Sequence, residues 1–206
     1  KKIDPNLLNS LANPSGSFEA ILKTFPGVNS NNELSSQYSV RGGNFDENLV
    51  YVNDIEVYRP FLIRSGRQEG LSFINSNMVQ NIDFSAGGFQ AKYGDKLSSV
   101  LDITYRKPTD NTVAIDASLL GASVALENVS QDSKFTSIVG LRYRDNSLLV
   151  DAKETETNFN PTFADVQSYL SYPFTDTLEV SFLGNASLNR YNDVPVTRQI
   201  NFGSLD

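Results

Sequence analysis

The sequence predicts a chain in two parts: an α+β domain with short helices and a small mixed sheet, then antiparallel β-strands of an incomplete transmembrane β-barrel. The first part is expected at residues 1–108 and the second at residues 109–206. Three observations support this prediction. Polar and apolar residues alternate along the second part, turn-forming Asn, Gly and Ser are abundant, and no apolar run approaches the roughly 18–20 residues of a membrane helix.

Composition excludes several kinds of function. The 206 residues carry a net charge of −7 and include neither Cys nor His. Thiol nucleophiles, Cys/His zinc sites and a histidine general base are therefore excluded, and a broad nucleic-acid surface is not expected. A glycosidase-like site would need two carboxyl groups about 5–10 Å apart in a cleft, and no such pair stands out. We predict no enzyme activity, no metal site and no cofactor.

One helix and one hairpin are predicted early in the first part. Ser17 is placed to cap the helix and Pro26-Gly27 to end it. Apolar residues with helical spacing define its buried side: Phe18, Ile21, Leu22 and Phe25. The hairpin is expected from a strand at residues 37–41, a turn at residues 42–46 and a return strand at residues 49–52.

The rest of the first part is predicted to hold a short helix at residues 72–79 and strands at residues 80–84 and 100–105. Its glycines are predicted to adopt positive φ or to allow close backbone approach rather than to take part in chemistry. The carboxylates of its hairpin are predicted to keep the hairpin soluble. These residues are Gly42, Gly43, Gly87 and Gly94, and Asp46, Glu47, Asp54 and Glu56. A phosphate-binding loop is excluded because the glycine and lysine spacing is wrong.

Five strands are predicted in the second part, each with one apolar and one polar face. They lie at residues 112–119, 123–129, 134–144, 162–174 and 177–190. On the last strand Val180 and Phe182 share one face, Ser181 and Asn185 lie on the other, and Leu183 breaks the pattern. This alternation alone fits a soluble sheet with one buried face equally well.

The connections between these strands favour a membrane barrel. Residues 121–122, 131–133 and 175–176 are predicted as short turns, and residues 146–161 as a long loop. Outer-membrane barrels have short periplasmic turns and longer extracellular loops. Because about eight strands are the fewest that close such a barrel, we expect the chain to be part of a longer one.

Four motifs, in order along residues 18–104, resemble the plug domain of TonB-dependent outer-membrane receptors. The motifs are Ala20–Val28, Ser39–Gly43 with Leu49–Ile55, Ile82–Phe84 through Ala91–Gly94, and Ser98–Thr104. Asn53 and Ile55 interrupt the family's Asp-Gly turn, and Ala86 stands where many plugs carry a second arginine. The third motif is similar to that of receptors outside the SusC-type glycan importers.

The resemblance implies a function. Such a chain would lie in the outer membrane of a Gram-negative bacterium, where the plug occludes the barrel and gates TonB-energised uptake of a scarce nutrient. The nutrient classes are siderophore, vitamin, oligosaccharide or peptide. No TonB box is recognisable before Phe18, so the segment that binds TonB is expected to be missing or to lie upstream. The remainder of the barrel would be a second partner, and a surface lipoprotein is left open as a third. The alternative is a receptor-like structural component without transport.

The resemblance also implies site residues. Arg41 is expected to pair with carboxylates of the barrel interior, since an Arg fork binds a carboxylate bidentately. Two loops, before and after the predicted hairpin, are expected to face the extracellular ligand. Their candidate residues are Asn29, Asn31, Asn32, Tyr58, Arg59, Phe61, Arg64 and Arg67. The long second loop is rich in arginine and aromatic residues, which is typical of a functional loop.

Overall fold

The computed structural model describes residues 2–4, 18–30, 36–58, 60, 72–94, 96–145 and 159–193. Its first strands are β1 Lys2–Ile3, β2 Val28–Asn29, β3 Ser39–Val40, β4 Asn48–Val52, β5 Ile55–Glu56, β6 Val79–Ser85 and β7 Ser99–Tyr105. The later strands are β8 Thr112–Ser118, β9 Gly121–Val129, β10 Thr136–Asp145, β11 Phe159–Thr175 and β12 Leu178–Asp193. Helix α1 spans Glu19–Leu22, and 3-10 helices span Phe45–Glu47 (η1) and Ser76–Met78 (η2).

The first part folds around a small mixed sheet. Its strand order is β1-β6-β7-β4-β5, with β4 parallel to β7 and the other pairs antiparallel. Apolar side chains of β4, β6 and β7 and of α1 form the buried core. The predicted strands at residues 80–84 and 100–105 correspond to β6 and β7. With few helices and a mixed sheet, this part has the predicted α+β architecture.

The predicted hairpin is wrong. Residues 39–40 do form a strand, but β3 pairs with β2 in a separate two-stranded sheet, with Val40 opposite Val28. The return strand β4 lies between β7 and β5 instead. Arg41 and Gly42 both have positive φ, and η1 follows at Phe45–Glu47. These turns redirect the chain, so β3 and β4 are not neighbours although they are consecutive in sequence.

Both predicted helices are shorter than expected. Helix α1 ends at Leu22, with Phe18 at its N-cap position and no side-chain cap. The predicted cap, Ser17, lies outside the described residues. Between residues 72 and 79 the only helical turn described is η2, whose start is capped by the Asn75 side chain accepting from Asn77 N at 3.1 Å. A single 3-10 turn is enough there, because β6 begins directly after it and the following backbone groups form the hydrogen bonds of a strand.

The second part is one antiparallel sheet with the order β12-β11-β10-β9-β8. Its strands match the five predicted ones closely, and their faces alternate as expected. One lateral row contains Ile115, Val124, Leu141, Val166 and Ala186, which are paired in register across all five strands. This row belongs to a face that the first part of the chain leaves uncovered, while the opposite face contacts the core of the first part.

Two local features of this sheet differ from the sequence pattern. The first turn is Leu119–Leu120 rather than the predicted residues 121–122, and Gly121 already belongs to β9. Glycine is required there because a Cβ on Gly121 would collide with the backbone of Tyr143. Leu183, the exception on β12, faces the first part and packs against its core. None of the helices in the described ranges has both the length and the apolar character that a membrane crossing requires.

Candidate functional site between the two sheets

Arg142, on the covered face of β10, joins the two parts of the chain. Its Nε and Nη2 atoms each donate to Asp165 of β11 at 2.8 Å. Its guanidinium also donates to Ile74 O at 2.8 Å and to Ser72 O at 2.9 Å. The Asp165 side chain is fully buried and that of Arg142 is nearly so. One guanidinium therefore satisfies a buried carboxylate of its own sheet and two carbonyl groups of the first part.

A buried amide forms the next contact. The Tyr105 hydroxyl, at the end of β7, donates to Gln167 Oε1 at 2.7 Å, and Gln167 Nε2 donates to Phe73 O at 3.1 Å. Burial raises the pKa of Tyr105 well above its ordinary value, so the phenol remains protonated and acts as the donor. Gln167 thus donates to one group of the first part and accepts from another, which fixes the relative position of the two sheets.

A recess in β10 receives side chains from η2. Gly140 lies between its register partners Ala125 and Gln167. A Cβ on Gly140 would lie 2.9 Å from Met78 Sδ and closer still to Asn75 Nδ2. Both of these side chains are buried. The absence of a side chain at Gly140 therefore lets the first part approach the second sheet closely.

Apolar residues of the second sheet complete the contact. Ile138 and Tyr169, which are paired in register, belong to the same buried cluster as the core of the first part. Tyr169 meets Tyr105 edge-on, with ring centroids 6.4 Å apart. Leu183 is the partly buried contribution from β12. The interface is thus a mixture of a small apolar patch and the polar contacts of Arg142 and Gln167.

Two ion pairs lie where the chain passes from β7 into β8. Arg106 Nη2 lies 3.0 Å from Glu127 Oε1, and Lys107 Nζ lies 2.6 Å from Glu179 Oε1. Lys107 and Glu179 are about half exposed, so this pair contributes little to stability. Together the two pairs connect the link between the parts to β9 and β12.

Helix α1 places a carboxyl group inside the first part, near the interface. Glu19 is 1% exposed, and burial raises its pKa to about 7. A hydrogen bond from the Ser72 hydroxyl and the positive charge of Arg142 counteract this rise only in part. Burial and the nearby Glu19 charge also raise the pKa of Tyr38. The carboxyl is therefore poised to change its protonation state near neutral pH.

Arg41 lies apart from this interface. Its backbone has φ 52°, and its amide donates to Gly27 O at 2.7 Å. The side chain is exposed, and Nη1 lies 3.2 Å from the point where a side chain on Gly87 would begin. Within the described ranges Arg41 pairs with no carboxylate. The expected pairing with acids elsewhere in the barrel stays a prediction.

Two of the predicted ligand-facing residues are described. Asn29 ends β2 and is exposed, and Tyr58, just after β5, is 84% exposed. The other six lie outside the described residues: Asn31, Asn32, Arg59, Phe61, Arg64 and Arg67. The ligand-facing role of all eight stays a prediction.

The sequence pattern identified the face of the interface residues but not their role. Arg142, Asp165 and Gln167 occupy the polar side of strands whose other side is apolar. This pattern predicts that they turn away from lipid, yet it does not distinguish a solvated interior from a contact with another domain. Gly140 was missed altogether, because a glycine in a strand does not reveal what approaches it.

Comparison with known proteins gives consistent results. Residues 8–100 match the family model of the TonB-dependent receptor plug domain. Three similar solved structures are mutants of the ferric enterobactin receptor PfeA from Pseudomonas aeruginosa, one of them in complex with enterobactin. They are 18% identical to this chain, with TM-scores of 0.59, 0.60 and 0.59, and the match covers 95%, 94% and 94% of this chain. Among curated protein sequences none matches significantly.

The fold and the interface define a class of protein. A small mixed sheet lies against the polar face of an antiparallel sheet whose other face is apolar, as a domain inside a membrane barrel would. With the family match over residues 8–100, the first part of the chain is a TonB-dependent receptor plug domain, and the strands that follow it have the fold of the first barrel strands of such a receptor. It spans about a third of the length of the structures it matches.

Several predictions are thereby confirmed. TonB-dependent receptors are outer-membrane proteins of Gram-negative bacteria. The predicted family, architecture and location all agree with this identification. The first part of the chain is therefore named the plug, and strands β8–β12 are named the wall.

Proposed function

We propose that the full receptor imports a scarce nutrient and that this plug occludes the barrel and gates uptake. The observation that carries the proposal is the contact of Arg142 with Asp165 and with the plug carbonyls of Ser72 and Ile74. The contacts with the plug are hydrogen bonds, which water can replace when the plug moves, at a net cost of about 1.5–3 kcal/mol each because the donor is charged. The interface is thus suited to close and to reopen.

The nutrient we favour is a ferric siderophore. The similar structures are of ferric enterobactin receptors, and one of them holds enterobactin. Vitamin, oligosaccharide and peptide remain the alternative classes. We further propose that the exposed residues Asn29 and Tyr58, with the loops that follow them, face the ligand, because a catecholate siderophore offers aromatic rings and oxygen acceptors to such side chains.

The proposed partners follow from the same arrangement. TonB would supply the force through a segment upstream of the plug. The remaining strands of the barrel would pair with the open edges at β8 and β12, whose backbone groups face outward at the ends of the sheet. Arg41 would then meet acids on strands that lie beyond this chain.

A reversible tether between plug and wall tests the proposal. Cysteines replacing Asn75 and Gly140 would lie close enough for a disulfide, since the Gly140 Cβ position is 3.2 Å from Asn75 Cγ. The native chain has no cysteine to interfere. As a control, Val113→Cys with Leu126→Cys joins registered partners within the wall and leaves the plug untethered.

The assay measures uptake of radiolabelled ferric enterobactin, with cobalamin as a second probe. The cells contain the full receptor as their only TonB-dependent receptor. We expect the plug–wall disulfide to stop uptake, a reductant to restore it, and the control disulfide to have no effect. Undiminished uptake by the tethered receptor would show that the plug does not gate at this contact. No TonB-dependent uptake of either probe by the untethered receptor would contradict the proposed siderophore substrate and leave oligosaccharide, peptide or the structural role.

A further inference from the structure

Glu19 is a buried acid that the proposed gate does not explain. Its neighbours in α1, Ile21 and Leu22, belong to the plug core, and the carboxyl is 1% exposed. Within the described residues its Oε2 atom has no hydrogen-bond partner. Burying a charged carboxylate without a full set of partners is costly, whereas the neutral acid is tolerated. The geometry therefore favours the protonated acid while the plug core is intact.

The charged groups around Glu19 come from both sides of the plug–wall interface. Four groups interact with it electrostatically: Lys23 at the end of its helix, Tyr38 before β3, and Arg142 and Arg144 of the wall. Arg142, however, directs its donors to Asp165 and to plug carbonyl groups. The direct partner of the Glu19 carboxyl is the Ser72 hydroxyl, whose own carbonyl accepts from Arg142.

This chain of contacts links Glu19 to the contact between plug and wall. The plug is called seated when this contact is formed. The Ser72 hydroxyl bonds to the Glu19 carboxyl and the Ser72 carbonyl accepts from Arg142, so withdrawal of the plug from the wall breaks a bond of the residue that contacts Glu19. We infer that Glu19 is a proton-linked gating residue: it holds a proton while the plug is seated and releases that proton to water when the plug leaves the wall. The inference rests on the proposed gating function and names a regulation of the same contact.

The direction of the pH dependence follows from linkage. In the seated plug the pKa of Glu19 is about 7, and its ordinary value in water is 4.5. The seated state therefore binds more protons between these values. Its extra stability is fully present below pH 4.5, is lost as the pH rises towards 7, and is absent above. Rising pH should thus favour an unseated plug.

Met78 provides a built-in reporter of unseating. It is the single methionine of this chain, is fully buried, and lies against the wall at Gly140. Hydrogen peroxide converts an accessible thioether to the sulfoxide, and the thioether itself carries no proton that titrates in this range. The oxidation rate of Met78, read by mass spectrometry of its peptide, measures how often the plug opens. The full-length receptor in outer-membrane vesicles is the sample.

The experiment compares the wild type with Glu19→Gln across pH 5 to 8. We expect the wild-type rate to rise more than tenfold over this range, from the pKa difference, and the Glu19→Gln rate to stay low and flat. Glu19→Leu serves as a second non-titrating variant in case the amide assembles poorly. Glu56→Gln, at the edge strand β5, is the matched control and should keep the wild-type profile.

The possible failures are distinguishable. A slow, flat profile in the wild type and in Glu19→Gln would overturn the role of Glu19 while leaving a seated plug. A pH-dependent rise that persists in both Glu19→Gln and Glu19→Leu would also overturn it. Rapid oxidation at every pH in all variants would mean that the plug is not seated on the wall, and the proposed gate would fail with it.

Discussion

Met78 of the plug lies directly over Gly140 of the wall, its sulfur 2.9 Å from the position that a Cβ on Gly140 would occupy. The contact has room for a hydrogen and for little more. The neighbouring register partner on β9 is Ala125, so two small residues side by side form the recess. The plug is thus positioned by a shape in the wall as well as by hydrogen bonds.

Replacing Gly140 with Val should loosen the plug. The added methyl groups would occupy the space of Met78 and Asn75, and such overpacking typically costs about 1–3 kcal/mol. The plug rather than the barrel should yield, because the wall strands are held by backbone hydrogen bonds on both sides. Faster peroxide oxidation of Met78 in the full receptor is the expected result. Leu141→Val, one residue along and on the opposite face, is the control and should leave the rate unchanged.

Removing the guanidinium of Arg142 should destabilise the interface more than removing the whole ion pair. Arg142→Leu leaves the carboxylate of Asp165 buried without its partner, which costs about 3–5 kcal/mol. In Arg142→Leu with Asp165→Leu no charge is left unpaired, so stability should be partly recovered. The measurement is the urea concentration at which half of the plug is unfolded in the purified full receptor. Protease cleavage of the plug reports the unfolded fraction. Equal midpoints for the single and double variants would contradict a structural role for the pair.

Deleting residues 61–67 from the full receptor should weaken ligand binding and leave barrel assembly intact. The segment contains Phe61, Arg64 and Arg67 and follows the exposed Tyr58. Binding is measured by titration with ferric enterobactin as the probe, and assembly by heat-modifiable migration in gels. A replacement of the same seven residues by glycine and serine controls for loop length. Unchanged affinity in both variants would exclude this loop from the ligand site.

The wall was predictable from sequence to a degree that the plug was not. Alternation along β11 and β12 separates the two faces of the sheet directly, because most residues on one side of each strand are apolar. In the plug, the order β1-β6-β7-β4-β5 depends on pairings between segments far apart in sequence. No local pattern shows that Val40 pairs with Val28 rather than with β4. The hairpin prediction failed for this reason.

The same distinction applies to the site. The sequence shows that Arg142 and Asp165 lie on the polar side of adjacent strands, and register places them opposite each other. It does not show that Arg142 also binds the carbonyl of Ser72. Every residue has a backbone carbonyl, so the residue type does not reveal which carbonyl accepts a hydrogen bond. Buried Glu19 was missed because a glutamate in the first turn of a helix is ordinarily exposed and favourable there.

The uncovered face of β12 should contact lipid. Phe182 is 58% exposed on that face, and Ser181 lies on the other. An arginine on the lipid face near mid-membrane costs about 2–4 kcal/mol, whereas substitutions facing the interior are far cheaper. In the full receptor Phe182→Arg should therefore impair assembly much more than Ser181→Arg.

Assembly alone does not separate lipid from a protein core, since both penalise a buried charge. Labelled cysteines at the same two positions make the distinction. A fluorophore at Phe182→Cys should be quenched by bromine-labelled acyl chains, and one at Ser181→Cys should not, because successive side chains of a strand point to opposite faces. Quenching at both positions, or at neither, would contradict the assignment of this face to the membrane.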